Sequence, residues 1–327
     1  MALSVPLAQP TSTAGPTGED SLEPGAGRRS RGSALRSLVP RRSPKLIIGL
    51  LITGSIALFG IVGPYLAGDP LSINNIGLSG PSREHIMGTS KIGQDLFAQL
   101  AHATRGSLII GLIVGVIALV LSSFFGILGA YIGGRIDELF SLFTNVMLVI
   151  PGLPLVIVIS SYVQRKGILI IAVVLAITSW AASSRVLRAQ TLSIRNRDYV
   201  AAARVSGEKP WRIIAVEILP NLLPVIASQF VFSIIFAILG EAGLSFIGLG
   251  ATNSLTWGTM LYYAQNAFAL QMGAWWWFVP PGLMIALLGC GLSLINFSID
   301  EIINPKLRSV PRATRAVRRA ERQEAAA

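Results

Sequence analysis

Charge is what this sequence has least of. Asp, Glu, Lys and Arg make up 13% of its 327 residues, against roughly 25% in a typical soluble domain. With 52% hydrophobic residues and a mean hydropathy of +0.63, the composition excludes an ordinary soluble enzyme, and a disordered chain more firmly still. A single cysteine, Cys290, inside an apolar run, excludes an intrachain disulfide framework and a cysteine-caged zinc site. Two histidines, His85 and His102, leave little for imidazole or metal chemistry, and no metal site is expected. Catalytic signatures are missing too. There is no Gly-x-x-x-x-Gly-Lys-Ser/Thr phosphate loop, no His-Glu-x-x-His and no Gly-x-Ser-x-Gly. Ser206 and the Ser160-Ser161 pair have no base near them in sequence. The chain is therefore expected neither to be an enzyme nor to bind ATP or another cofactor itself.

What the sequence does contain is long charge-free runs. Residues 46–68, 106–134, 139–164, 167–184, 218–240 and 242–299 hold no Asp, Glu, Lys or Arg. About 20 mainly apolar residues cross a bilayer core as a helix. The first five runs read as one span each. The sixth is long enough for a span over Trp277–Ile299, preceded by a polar loop that includes Asn253, Ser254, Gln265, Asn266 and Gln271. The expectation is an all-α membrane protein with six transmembrane helices.

Basic residues set its orientation. Of 27 Lys and Arg, 21 fall in three equal groups: residues 1–45, 185–212 and 306–327. With six spans all three groups lie on one side, and the positive-inside rule makes that side the cytoplasm. Both termini are then cytoplasmic in a multi-pass protein of the cell's inner (plasma) membrane. Arg165-Lys166, in a short outer loop, runs against the rule. Topology accounts for the net charge of +11, so no nucleic-acid partner is needed. Residues 1–45, rich in Pro, Gly, Ser and Thr, read as a disordered basic cytoplasmic tail, and 306–327 as a second basic tail. The apolar run after Lys45 is too long for a signal-peptide core and reads as an uncleaved anchor. Between the tails lies one membrane domain, 46–305, with its core at about 106–305.

The most informative segment is the cytoplasmic loop between spans four and five. Asp198 is suited to an N-cap, Tyr199–Ser206 to two helical turns, and Gly207 to the left-handed stop. Pro210 suits the first turn of a second helix that begins with Trp211. Ala201, Ala202 and Ala203 give the first helix a face that another protein can approach closely, with Tyr199, Val200 and Trp211 as apolar anchors. A solvated loop with a short helix is the alternative.

This segment resembles the signature loop of ABC-importer permeases, the Glu-Ala-Ala loop followed by Gly and an Ile-x-Leu-Pro-like element. Ala202, Ala203, Gly207, Leu219 and Pro220 match, and position 201 holds Ala where the pattern has Glu. His85-Ile86-Met87-Gly88-Thr89 through Gly93-Gln94-Asp95 and on to Arg105-Gly106-Ser107-Leu108 resembles a stretch of the C-type permeases of dipeptide and oligopeptide importers. Ser90 and Gln94 stand where those have Asp and Arg. Gly240–Gly250, Trp257-Gly258, Pro281-Gly282 and Asn304–Arg308 are similar as well, so the resemblance covers about 45–308. It implies a type I ABC importer permease bundle with a cytoplasmic coupling helix. The implied partners are a homologous second permease, two ATPase subunits that bind the ATP, and an extracytoplasmic substrate-binding protein, with peptide as substrate. The same stretches occur in nickel-complex and antimicrobial-peptide permeases. A secondary transporter remains an alternative from another class, although the spans hold few acids. So does a membrane scaffold without transport.

Other residues carry two readings each. Glu241 is the only acid between Glu217 and Asp300, fit for a path or gate, or for a helix-end hydrogen bond. Pro151 and Pro154 interrupt span three, as a pore-lining break or a packed kink. Asn221 and Pro224 carry the same ambiguity. Asp95, Gln99 and His102 share one face of a helix expected to lie on the outer membrane surface. Trp275, Trp276 and Trp277 are expected to form an interface belt. Gly126, Gly129, Gly133 and Gly134 permit close helix packing.

Overall fold

The computed structural model describes residues 43–74, 76–162, 167–250 and 254–303. The basic tail at 306–327, nearly all of that at 1–45, the Arg165-Lys166 loop, Asn253 and the Asn304–Arg308 stretch lie outside the described residues. Within them the regular structure is helical, apart from two isolated antiparallel β-bridges, Ile73–Gln94 and Thr89–Asp95.

Nine helices follow in order among the described residues: α1 (Pro44–Leu66), α2 (Leu96–Ile132), α3 (Gly134–Val149), α4 (Gly152–Tyr162), α5 (Ile168–Arg195), α6 (Asp198–Val205), α7 (Pro210–Phe246), α8 (Trp257–Asn266) and α9 (Trp275–Ile303). Five of them, α1, α2, α5, α7 and α9, are long and apolar enough to cross a membrane. The bent pair α3–α4 makes a sixth span if counted as one. The outward surface of these helices is rich in exposed Leu, Ile, Val and Phe, among them Leu51, Leu58 and Ile61 on α1. An acyl-chain environment covers such a surface at no cost, whereas water does not.

α2 and α5 make the most extensive helix–helix contact, and α7 packs on both; α1 lies against α9 and α2. Small residues make this possible. A Cβ added at Gly126 would lie 2.6 Å from the Ser184 carbonyl oxygen and 3.1 Å from Leu187 Cβ. So α2 and α5 approach backbone to backbone there. The other expected seam glycines behave differently. Gly129 faces Phe140, while Gly133 and Gly134 take positive φ (75° and 58°) and turn the chain from α2 into α3. They serve a turn, not a seam.

α2 and α7 each contain a π-helical turn, Phe124–Leu128 and Ile213–Ile218. Ile127 of the first and Ile213 and Ile218 of the second enter one buried cluster with Leu187 of α5, Val200 of α6 and Leu222 of α7. At the α2 terminus, Arg195 Nη1 donates to the Ala130 carbonyl at 2.8 Å, satisfying an end-of-helix acceptor with a cation. Arg188 binds Asp137 of α3 through two parallel bonds of 2.7 and 2.8 Å, and Arg185 donates to Asn145. These partners explain why α5 continues through Arg185 and Arg188 to Arg195, beyond its charge-free run.

Three local expectations are corrected. Residues 96–105 are not a separate surface helix. They are the first turns of α2, capped by Asp95, whose Oδ1 accepts from the Ala98 amide at 3.0 Å. Leu96, Leu100, Ala101 and Ala103 are buried because the end of α2 is covered by α1 and α8. The polar segment before the last span is not all loop, since it contains α8, started by a capping box between Thr256 and Thr259. The three tryptophans do not form a common belt. Trp275 is half-exposed, but Trp276 packs beside Gly80 and Gly88, and Trp277 is buried in the main core cluster.

Candidate functional site: the segment between α5 and α7

α6 begins one residue earlier than expected. Arg197 has the extended backbone of an N-cap, and Asp198 is the first helical residue, placing its carboxylate at the positive helix end without a capping bond. The C-terminus matches the sequence reading. Gly207 has φ +73°, the Gly207 amide donates to the Arg204 carbonyl, and the Glu208 amide donates to the Ala203 carbonyl. This is the Schellman pattern of bonds. Pro210 then opens α7, with Arg212 paired to Glu208.

The segment has two faces. Val200 is fully buried (0% exposed) among Leu187, Ile213, Ile218 and Leu222; Ala203 and Leu219 are half-buried against the same cluster. Val200 is therefore an anchor to the chain's own bundle and not to another protein, as the sequence reading had allowed. The opposite face carries Ala201 and Ala202, both exposed, with Tyr199 42%, Val205 90% and Trp211 66% exposed. Gly207 and Pro220 are exposed too, and nothing lies within 4 Å of where a Gly207 Cβ would stand. Two contributors were not singled out in the sequence. Val205 is the most exposed large apolar side chain of α6, and Arg204 places its guanidinium over the Tyr131 ring of α2. Helical spacing carried the first signal, since Val205 falls five residues after Val200 and so on another face. Nothing in the sequence pointed to Tyr131.

The candidate path residues do not converge. Pro151 and Pro154 flank an 82° bend between α3 and α4 and are exposed. Pro151 precedes α4 and Pro154 lies in its first turn, where a missing N–H costs nothing. Asn221 is exposed and its Nδ2 donates to the Glu217 carbonyl at 2.6 Å, beside the π-helical turn of α7. Glu241 is 1% exposed, and its Oε1 accepts from Ser245 Oγ at 2.6 Å and from Thr256 Oγ1 at 2.7 Å. It faces the interior of the subunit, where it ties α8 to α7. Of its two sequence readings, the geometry has the features of the hydrogen-bonding one.

At the other end of α2 the motif residues 85–95 build a compact loop. His85 Nδ1 lies 2.7 Å from Asp95 Oδ2, while Thr89 Oγ1 donates to the Gly77 carbonyl and accepts from the Ser79 amide. Ser90 Oγ accepts from the Gln94 amide. Gln99 Nε2 is shared between Gln94 Oε1 at 2.7 Å and the Pro70 carbonyl at 3.4 Å. Beside this loop opens a cavity of about 670 Å³, between it and the α8 region.

A bundle of membrane-length helices with a short, partly apolar helix at one end defines a multi-pass, all-α membrane protein. Residues 122–309 match the family of binding-protein-dependent transport system inner membrane components, and the chain belongs to that family. It is 30% identical over 276 residues to the dipeptide transport system permease protein DppC of Bacillus subtilis, covering 82% of this chain and 84% of that one. It is 31% identical to the oligopeptide transport system permease protein OppC of the same organism, over 82% and 88% of the two chains. It is 33% identical to the probable D,D-dipeptide transport system permease protein DdpC of Escherichia coli, over 81% and 88%.

Proposed function

We propose that this chain forms half of the membrane path of an ATP-driven importer of short peptides, beside a second, homologous permease subunit. Two separate ATPase subunits bind and hydrolyse the nucleotide, and an extracytoplasmic binding protein delivers the peptide. This chain carries no cofactor of its own. Both termini and α6 face the cytoplasm, the side on which basic residues accumulate.

In this reading α6 is the coupling helix. Tyr199, Ala201, Ala202, Gly207, Trp211 and the exposed Pro220 meet the ATPase, while Ala203 of α6 and Leu219 of α7 pack on the Val200 cluster that holds the two helices together. One observation carries the reading most. α6 is locked to the bundle by the buried Val200, yet turns Val205 and Tyr199 to solvent, and Trp211, in the first turn of α7, is exposed as well. A handle needs both properties: a fixed root, and a surface that a partner can grip without cost of burying charge. Closure of the ATPases on ATP moves α6, and the cluster around Leu187, Ile127 and Ile218 passes the motion to α2, α5 and α7. The bend at Pro151 and Pro154 and the amide of Asn221 lie along the path; Glu241 maintains the α7–α8 junction. The names of the relatives favour peptide as cargo.

The test is reconstitution of the full complex in vesicles with Ala202→Glu and Gly207→Trp. Both positions are exposed, with open space at Gly207. The expected outcome is ATP hydrolysis no longer matched by peptide uptake. Normal uptake and hydrolysis in both variants would refute the coupling role.

A further inference from the structure

We infer that the groove between α1, α2 and α9, with Arg105 at one end, is a binding site for an anionic phospholipid, its phosphate on the guanidinium and an acyl chain in the groove. The site does not depend on what the protein carries across the membrane. Only the leaflet, the outer one, follows from the orientation proposed above.

The groove, about 360 Å³, is lined by Ala57 and Gly60 of α1, Leu108 and Leu112 of α2 and Leu288 of α9, with Arg105 as its one charged residue. Its shape follows from side-chain size. A Cβ at Gly60 would lie 3.0 Å from both Thr104 Cγ2 and Leu108 Cδ1, so α1 sits close on α2 at that level. Ala57, one turn nearer the start of α1, has only a methyl group to put into the space beside α2. Arg105, Leu108 and Leu112 share one face of α2 at helical spacing. From Arg105 to Leu112 the groove follows α2 for about 10 Å of helical rise. Its flanks are bare and apolar. Leu58 and Ile61 of α1 and Leu112 of α2 are all exposed, so the groove opens on the surface that faces hydrocarbon.

Arg105 adds the charge. It is the last charged residue before the 106–134 run, and so stands where headgroups meet the hydrocarbon core. It is exposed and makes no ion pair among the described residues. A cation on a span at this level is costly alone and pairs with an anion. A guanidinium matches a phosphate with two parallel bonds. A phospholipid supplies both halves of the complement in one molecule: an anion at the level of Arg105 and an apolar chain directly beneath it. A peptide would leave backbone amides unpaired against these walls, and a neutral hydrocarbon would leave the arginine without a counter-charge.

The experiment purifies the protein from membranes in detergent, with the subunits that accompany it. Bound lipid is counted by native mass spectrometry during titration with dioleoylphosphatidylglycerol or dioleoylphosphatidylcholine, which have the same chains. The wild type is expected to show a site about tenfold tighter for the anionic lipid, the order of one charge-assisted bond. Arg105→Gln removes that preference, and Arg105→Lys retains most of it. Ala57→Phe, which fills the groove, removes the tight site, whereas Leu58→Phe, the same bulk on the neighbouring exposed position, leaves it. Equal binding of the two lipids, or a tight site untouched by Arg105→Gln or by Ala57→Phe, would overturn the assignment. Loss of an accompanying subunit in Arg105→Gln, with the lipid count unchanged, would overturn it in favour of a protein neighbour in the groove.

Discussion

Arg204 holds its guanidinium over the ring of Tyr131, 5.4 Å from the centroid. The contact joins the last turn of α6 to the last turn of α2 at the edge of the Val200 cluster, to which Tyr131 itself belongs. Cation–π contacts at exposed positions contribute about 0.5–1 kcal/mol, enough to bias a moving element without fixing it. Tyr131→Phe keeps the ring and is expected to preserve the number of peptides imported per ATP hydrolysed, whereas Tyr131→Leu lowers it. The ratio measured in reconstituted vesicles decides the matter, and identical ratios in the two variants would leave the contact without a role.

The two valines of α6 make a second prediction. Val200 is buried and Val205 almost fully exposed. Val200→Ala is expected to lower the thermal stability of the subunit by about 1–3 kcal/mol, the order of burying such a side chain. Val205→Ala leaves stability unchanged. Val205→Asp and Trp211→Ala are expected to reduce the amount of ATPase that co-purifies, without shifting Tm. An unchanged yield of ATPase in both would contradict the proposed gripping surface.

Glycines on α1 and α2 give opposite expectations for the same change. Gly126→Ala places a methyl against the backbone of α5, as the 2.6 Å approach to the Ser184 carbonyl shows. It should cost about 1–3 kcal/mol through overpacking. Gly54 lies mid-helix with nothing within 4 Å of its missing Cβ. Gly54→Ala should be neutral or stabilising by about 0.5–1 kcal/mol. Unfolding of the purified subunit in mild detergent, followed by circular dichroism, ranks the two.

Glu241 accepts from two hydroxyls on one oxygen. Glu241→Gln retains an acceptor at that position and is expected to leave assembly and transport near normal. Glu241→Ala strands the Ser245 and Thr256 hydroxyls in a buried site, a loss of about 1–3 kcal/mol. The α8 region should then become accessible first, seen as faster cleavage in the 247–256 connection. If Glu241→Gln abolishes transport while the fold survives, the carboxylate acts in the path after all.

The spans were legible because a lipid-crossing helix must exclude charge, so charge-free runs mark α1, the α3–α4 pair, α5, α7 and α9 directly. Their ends were not. α2 starts ten residues before its run because Asp95 caps it and α8 buries its first turns, and both facts depend on residues far apart in the chain. α5 runs past the end of its charge-free stretch at Ser184 because Asp137 and Asn145, from α3, receive two of its arginines. The coupling segment could be read at Gly207 and Pro210, whose backbone demands are local. Which face of α6 looked inward could not, since Val200 is chosen by Leu187 and Ile218. α8 escaped notice because its capping box pairs two threonines rather than the usual Thr and Glu. The Tyr131–Arg204 contact and the groove beside Arg105 arise purely from tertiary assembly.

The π-helical turns in α2 and α7 have a consequence for how such helices vary. Each takes up one residue more than an α-turn within a single turn, so the helix beyond it keeps its facing. Deleting one position within 213–218 would restore an α-turn and scarcely shorten α7, leaving Leu222, Val231 and Ile238 in their clusters and Glu241 beside Thr256. A residue removed elsewhere in α7 would instead revolve everything beyond it by about 100°. A lone deletion is thus absorbed at these two turns and re-aims half a span anywhere else.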